Sequence, residues 1–126
     1  MSNQSKFSDE QPKLSPFHER QAELNIRDAW SVWNGYKFAD YYYEAEYEYF
    51  CIRNTCGTYD ISPMQKYLIE GKNAESMLNR MVTRDISNLK INRVTYVLWC
   101  TNEGRVIDDG TIFKLDAEKF MLTCGS

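Results

Sequence analysis

At 126 residues the chain has the length of one ordinary domain, enough to bury a hydrophobic core. Its 43% hydrophobic and 14% aromatic content is that of a folded chain, and a net charge of -3 excludes an electrostatic grip on nucleic acid or anionic membrane. No apolar run approaches the roughly 20 residues that span a bilayer. The opening MSNQSKFSDEQPKLSP lacks the apolar stretch of a signal peptide and carries two acids, so a cytoplasmic protein is expected.

Residues 1–15 are polar and read as a flexible N-terminal arm, with the folded part expected over residues 16–126. Glu19 to Trp33 mixes helix formers with apolar residues, and Asn34-Gly35 then marks a turn. From Asp40 to Phe50 apolar and acidic residues interleave, with Tyr43, Tyr47 and Phe50 at helical spacing. This predicts a helix reaching about Arg53, ended near Gly57 and packed on its own sheet. Gly57 to Ser62 reads as a turn into a short strand that Pro63 limits. Gln65 to Glu70 is a strand, and Ala74, Met77, Leu78 and Met81 follow a helical period behind Asn73 as cap. Asp85 to Lys90 is a connection anchored by Ile86 and Leu89. Three strands close the chain: Val94 to Cys100, Arg105 to Leu115 broken at Asp108-Asp109-Gly110, and Phe120 to Cys124. Strand, helix and antiparallel meander make an α+β pattern. The chain stops at Gly125-Ser126 directly after a strand, and a longer parent protein is expected.

Asp108-Asp109 is the first candidate for chemistry. Successive strand side chains point to opposite faces, so one acid is expected in solvent and the other on the covered side. An anion on the covered side needs partners or a ligand. The alternative is a β-bulge or a kink at Gly110 that leaves both acids solvated. Across the hairpin lies Tyr96-Val97-Leu98-Trp99-Cys100. Aromatic rings beside a carboxylate suit a flat, nitrogen-rich heterocycle, although aromatic residues in strands usually belong to a plain core. Arg53 has the fork for a bound carboxylate, but an ion pair with Asp60 or Glu48 is the expected role. His18 reads as a surface or packing residue. The four cysteines form no CxxC and the chain holds a single histidine, so reduced thiols in or near the core are expected and no metal site.

Several blocks add up to a resemblance. Glu48-Tyr49-Phe50-Cys51-Ile52-Arg53-Asn54-Thr55-Cys56-Gly57-Thr58-Tyr59-Asp60-Ile61-Ser62, Gly71-Lys72-Asn73-Ala74, Tyr96, and Gly104-Arg105-Val106-Ile107-Asp108-Asp109 occur in one order. Together they resemble the glycine cleavage T-protein, or aminomethyltransferase, family and its folate-dependent demethylating relatives. The resemblance runs from about Glu48 to the end. It implies an α+β fold, an antiparallel sheet with flanking helices, forming the N-terminal part of a larger folate-binding fold. It implies tetrahydrofolate as cofactor and transfer of a one-carbon unit to it from a small amine substrate. Asp109 then takes the catalytic, folate-contacting position, orienting the folate amine and stabilising positive charge that develops at the one-carbon unit. Tyr96 takes the position that lines the pterin pocket. Phe113 stands where the family often has a folate-contacting tyrosine, and can stack but not donate. A lipoylated carrier protein is the implied partner, and these residues alone are expected to be inactive. Three positions depart from the pattern: Pro63 in place of a histidine, Arg105 in place of a glycine, and Gly125 in place of an asparagine. They point to a divergent branch acting on a methylated amine or another methyl donor. A non-catalytic folate-binding member of the superfamily is the alternative of a different class.

Overall fold

The computed structural model describes residues 11–125, and the part of the expected arm in residues 1–10 lies outside the described residues. The chain divides after Pro63 into two compact units.

The first unit starts its ordered structure before Pro16. Lys13 donates its backbone N–H to Gly35 and accepts from Lys37, both at 2.8 Å, so it sits as a bridge beside Tyr36. Ser15 is buried, and its hydroxyl accepts the Phe17 N–H ahead of helix α1, His18–Leu24. The helix formers do not carry that helix to Trp33. It stops at Asn25, whose side chain exchanges hydrogen bonds with the backbone of Ala29, and Asp28 takes a left-handed φ of 51°. Strands β1, Trp30–Trp33, and β2, Tyr36–Ala39, then form a hairpin. Its two turn residues, Asn34 and Gly35, both have positive φ, the geometry of a tight primed turn.

Helix α2, Ala45–Asn54, lies where the tyrosine spacing places it. Glu48 reaches back to accept the N–H groups of Tyr42 and Tyr43, at 2.6 and 2.8 Å, and so satisfies donors near the helix start. None of its described residues is buried, and Tyr47, Phe50 and Ile52 are all exposed. Periodicity reports which residues share a face, not whether that face finds a partner.

No strand forms over residues 57–62. Side-chain bonding to Asp60 organises this segment instead. Its carboxylate accepts from Ser15 Oγ at 2.6 Å, Gln21 Nε2 at 2.9 Å and the Ser62 N–H at 2.9 Å. Asn34 Nδ2 donates to the Pro63 carbonyl at 2.8 Å and ties the same segment to the hairpin. Partial burial pushes the Asp60 carboxyl up, but the hydrogen bonds from Ser15, Ser62 and Gln21 outweigh it and hold the group below its usual range. A folded-state value below the unfolded one stabilises the fold fully above pH ~4, and that contribution fades as pH falls through the folded value. Denaturation midpoints followed from pH 6 to pH 2 are therefore expected to fall less steeply in Asp60→Asn than in the unaltered chain.

The second unit is a four-stranded antiparallel sheet in the order β3-β6-β5-β4 with helix α3, Ala74–Met81, on one face. The strands are β3, Gln65–Glu70; β4, Arg93–Cys100; β5, Val106–Asp116; and β6, Lys119–Cys124. Asn73 precedes α3 as expected but makes no side-chain cap bond; the Ala74 N–H bonds the Gly71 carbonyl instead. Leu78, Ile86, Val97, Ile112 and Phe120 are fully buried between helix and sheet. Each such side chain contributes roughly 1.5–3 kcal/mol by leaving water. Asn79 Oδ1 accepts the Ile86 N–H at 2.7 Å, which pins the connection that follows the helix. Cys124 is buried, Cys51 and Cys100 are half-buried, and Cys56 is exposed, so the expectation of cysteines near the core fails at Cys56. Among the described residues no helix is long and apolar enough to cross a membrane.

Candidate functional site

Strand β5 is not broken at Asp108-Asp109-Gly110. Pairing with β4 runs without interruption from Lys114 to Asp108, and the irregularity falls one residue earlier, where Cys100 pairs with Val106 and leaves Ile107 as the extra residue. Register therefore decides where each acid points. Asp108 pairs with Trp99, on the face that α3 covers. Asp109 pairs with Leu98, on the opposite face. The acid on the helix side is thus Asp108, which borders a cavity of about 440 Å³ with Trp99, Met81 and Cys124. Burial singles out Asp108, whereas the resemblance singles out Asp109.

What distinguishes Asp109 is Tyr96. Tyr96 pairs with Thr111, two residues along β5 on the same face, and its Oη donates to Asp109 Oδ2 at 2.7 Å. The Asp109 N–H is held at 2.8 Å by Asp108 Oδ1, which fixes the backbone beneath the pair. Phe113 is on this face too, opposite Val94 and Met121 and half-buried. It lies four positions along the strand from Asp109, about 13 Å away. Tyr96 stands between them. The three residues thus line one face in the order carboxylate, phenol, phenyl.

This face offers an anionic acceptor flanked by aromatic surface, and much of it is open: Tyr96 is 52% exposed and Val94 50%. At its centre the hydroxyls of Thr111 and Thr123 share a hydrogen bond of 2.6 Å. Nothing in the sequence pointed to this pair, beyond one hydroxyl residue in the apolar run of β6. The hydrogen bond to Asp109 is the main reason the Tyr96 phenol is raised above its ordinary value near 10, with lesser additions from burial and from the charges of Asp109 and Asp108. Tyr96 therefore stays a donor throughout the physiological range. In Asp109→Asn its midpoint is expected to drop back toward 10, read from the tyrosine Cζ carbon resonance between pH 8 and pH 12.

The other candidates belong to the first unit. Arg53 makes no ion pair with Asp60 or Glu48 among the described residues; its guanidinium lies over the Tyr49 ring at 5.7 Å, while Asp60 and Glu48 hold neutral donors. His18 stacks on Trp30 with ring centres 5.0 Å apart, a packing residue. Pro63 caps the Asp60 segment through its carbonyl.

A family model described as the GCVT N-terminal domain matches residues 17–126. The aminomethyltransferase of Halothermothrix orenii is 31% identical over 110 residues, covering 87% of this chain and 30% of that protein. The trimethylamine-oxide aldolase of Ruegeria pomeroyi is 31% identical over 123 residues, 94% of this chain and 15% of that protein. Among solved structures, the crystal structure of glycine cleavage system aminomethyltransferase T from Bartonella henselae matches with a TM-score of 0.73 at 22% identity. That match covers 90% of this chain and 31% of the other, and establishes the shared fold. The matches to aminomethyltransferases span about 20–30% of the length of those proteins.

Proposed function

Because the chain belongs to the GCVT N-terminal domain family of the glycine cleavage T-protein, we propose that it supplies part of a tetrahydrofolate-dependent one-carbon transferase. One observation carries the reading: Tyr96 and Asp109, which the resemblance assigns to the folate site, are hydrogen-bonded to each other on an exposed sheet face. The residue types suit the cofactor. A pterin presents a flat ring and N–H donors; Tyr96 and Phe113 present aromatic surface, and Asp109 presents an acceptor. Tetrahydrofolate, when bound, supplies the amine that accepts the one-carbon unit. Asp109 would hold that amine in place and remain anionic beside developing positive charge. Tyr96 would keep the carboxylate in one rotamer, and Phe113 would stack without donating.

The donor is proposed to be a small amine, with a lipoylated carrier protein as partner where the unit arrives on a carrier, and the cytoplasm as setting. A second reading has a methylated amine as donor, supported by the likeness to the Ruegeria aldolase and by the departures at Pro63, Arg105 and Gly125. The test joins this chain to the remaining two thirds of a related aminomethyltransferase. Transfer that depends on tetrahydrofolate supports the proposal; a folded chimera that binds no reduced folate overturns it. The 126-residue chain by itself is expected to give no turnover.

A further inference from the structure

A second cavity lies entirely within the first unit, on the side chains that surround Asp60. Its volume is about 490 Å³ and its walls are mostly apolar, with the rings of Phe17, Tyr42 and Tyr59 and the side chain of Leu24. None of these residues belongs to the proposed folate site. Tyr59 is held in place by Phe38 and Trp33, with ring centres 5.9 and 6.4 Å away. Tyr42 stands close enough to Asp60 and Glu48 for their charges, after burial, to raise its phenol.

The chemistry of Asp60 narrows what such a cavity can hold. Its carboxylate is ionised, and its partners Ser15, Gln21 and Ser62 are all neutral. Among the described residues the negative charge is therefore hydrogen-bonded but not neutralised. A carboxylate has about four lone-pair positions, and both hydroxyls, the amide and the Ser62 N–H direct themselves at them. Arg20 also borders the cavity, but its guanidinium is paired with Glu23 Oε2 at 2.8 Å.

A primary ammonium entering here would bring three N–H groups and find the Asp60 lone pairs taken, at a cost in unmet hydrogen bonds. A fully alkylated ammonium brings no N–H at all. It requires only apolar contact, aromatic faces and an uncompensated negative charge. We propose that the Phe17–Tyr42–Tyr59 cavity over Asp60 is a binding site for a small quaternary ammonium group. The site does not depend on the folate reading and stands or falls separately from it.

The test is titration of the 126-residue chain with tetramethylammonium chloride, against sodium chloride and methylammonium chloride at equal ionic strength. Saturable shifts of the Phe17, Tyr42 and Tyr59 ring resonances are expected with tetramethylammonium, and binding at least several-fold weaker with methylammonium. Asp60→Asn is expected to abolish saturation. Phe17→Leu, at an exposed ring whose loss leaves the Asp60 hydrogen bonds intact, is expected to weaken binding about threefold to fivefold. Should Asp60→Asn fail to fold, Phe17→Leu decides. Shifts that do not saturate, methylammonium binding as tightly as tetramethylammonium, or equal affinity in Phe17→Leu would each overturn the proposal.

Discussion

Asp109→Asn, introduced where this chain is joined to the remainder of a related aminomethyltransferase, is expected to lower kcat for tetrahydrofolate-dependent transfer by about 10²–10³-fold. The substitution keeps the shape and one oxygen to accept from Tyr96 Oη, so the 2.7 Å hydrogen bond survives in weakened form. What it removes is the charge. An amide can still orient a bound amine through its oxygen, and so the loss should fall mainly on kcat, with reduced-folate affinity changed much less. Asp109 is exposed and takes no part in the core around Leu78 and Phe120, so the thermal midpoint should move little. Steady-state kinetics beside a melting curve checks both halves. Unaltered transfer by a well-folded Asp109→Asn protein would remove Asp109 from the catalytic role.

The elements legible in the sequence were those whose signals are local. Gln65–Glu70, α3 and the strands of the meander follow from apolar period and turn residues, and the Asn34-Gly35 turn from its dipeptide. The misreadings share a cause: each required knowing what a face or a side chain meets. The tyrosine period located α2 but not its lack of a buried side. Residues 57–62 have the composition of a strand, yet Asp60 and its partners Ser15 and Gln21, 45 and 39 residues distant in sequence, hold the segment in irregular form. Asp108-Asp109-Gly110 looked like a break because two acids and a glycine are poor strand residues. The strand tolerates them because one acid faces the open side and the bulge is absorbed at Ile107. For the candidate site, the family resemblance pointed to Asp109, Tyr96 and Phe113. Only the register shows that the phenol stands between the other two and donates to the carboxylate.

Gly110→Ala is expected to be the most damaging single-methyl change in the second unit. Gly110 has a φ any residue can adopt, so the demand for glycine here is not conformational. It is steric. Gly110 is buried, pairs with Val97 on one side and Cys124 on the other, and a Cβ would fall far inside contact distance of the Thr123 backbone carbonyl oxygen. The Trp99 ring, 3.4 Å away, closes the space on the β4 side. A backbone oxygen cannot rotate aside as a flexible side chain does, so β5 and β6 must separate. Separation would pull on the Thr111–Thr123 hydroxyl pair and on the ladder beside Phe120, at the centre of the buried cluster. A loss of about 3 kcal/mol is expected, at the upper end of overpacking costs. Gly104→Ala supplies the comparison: nothing lies near its added Cβ, and only its φ of 81° is strained, a cost of about 1 kcal/mol. Denaturant unfolding of the two variants, with equal m-values, should reproduce that order. Because Asp109 is the neighbour of Gly110, a weakened β5–β6 pairing should also loosen the Tyr96–Asp109 pair. Gly110→Ala is thus expected to lose both stability and transfer, where Asp109→Asn loses transfer alone.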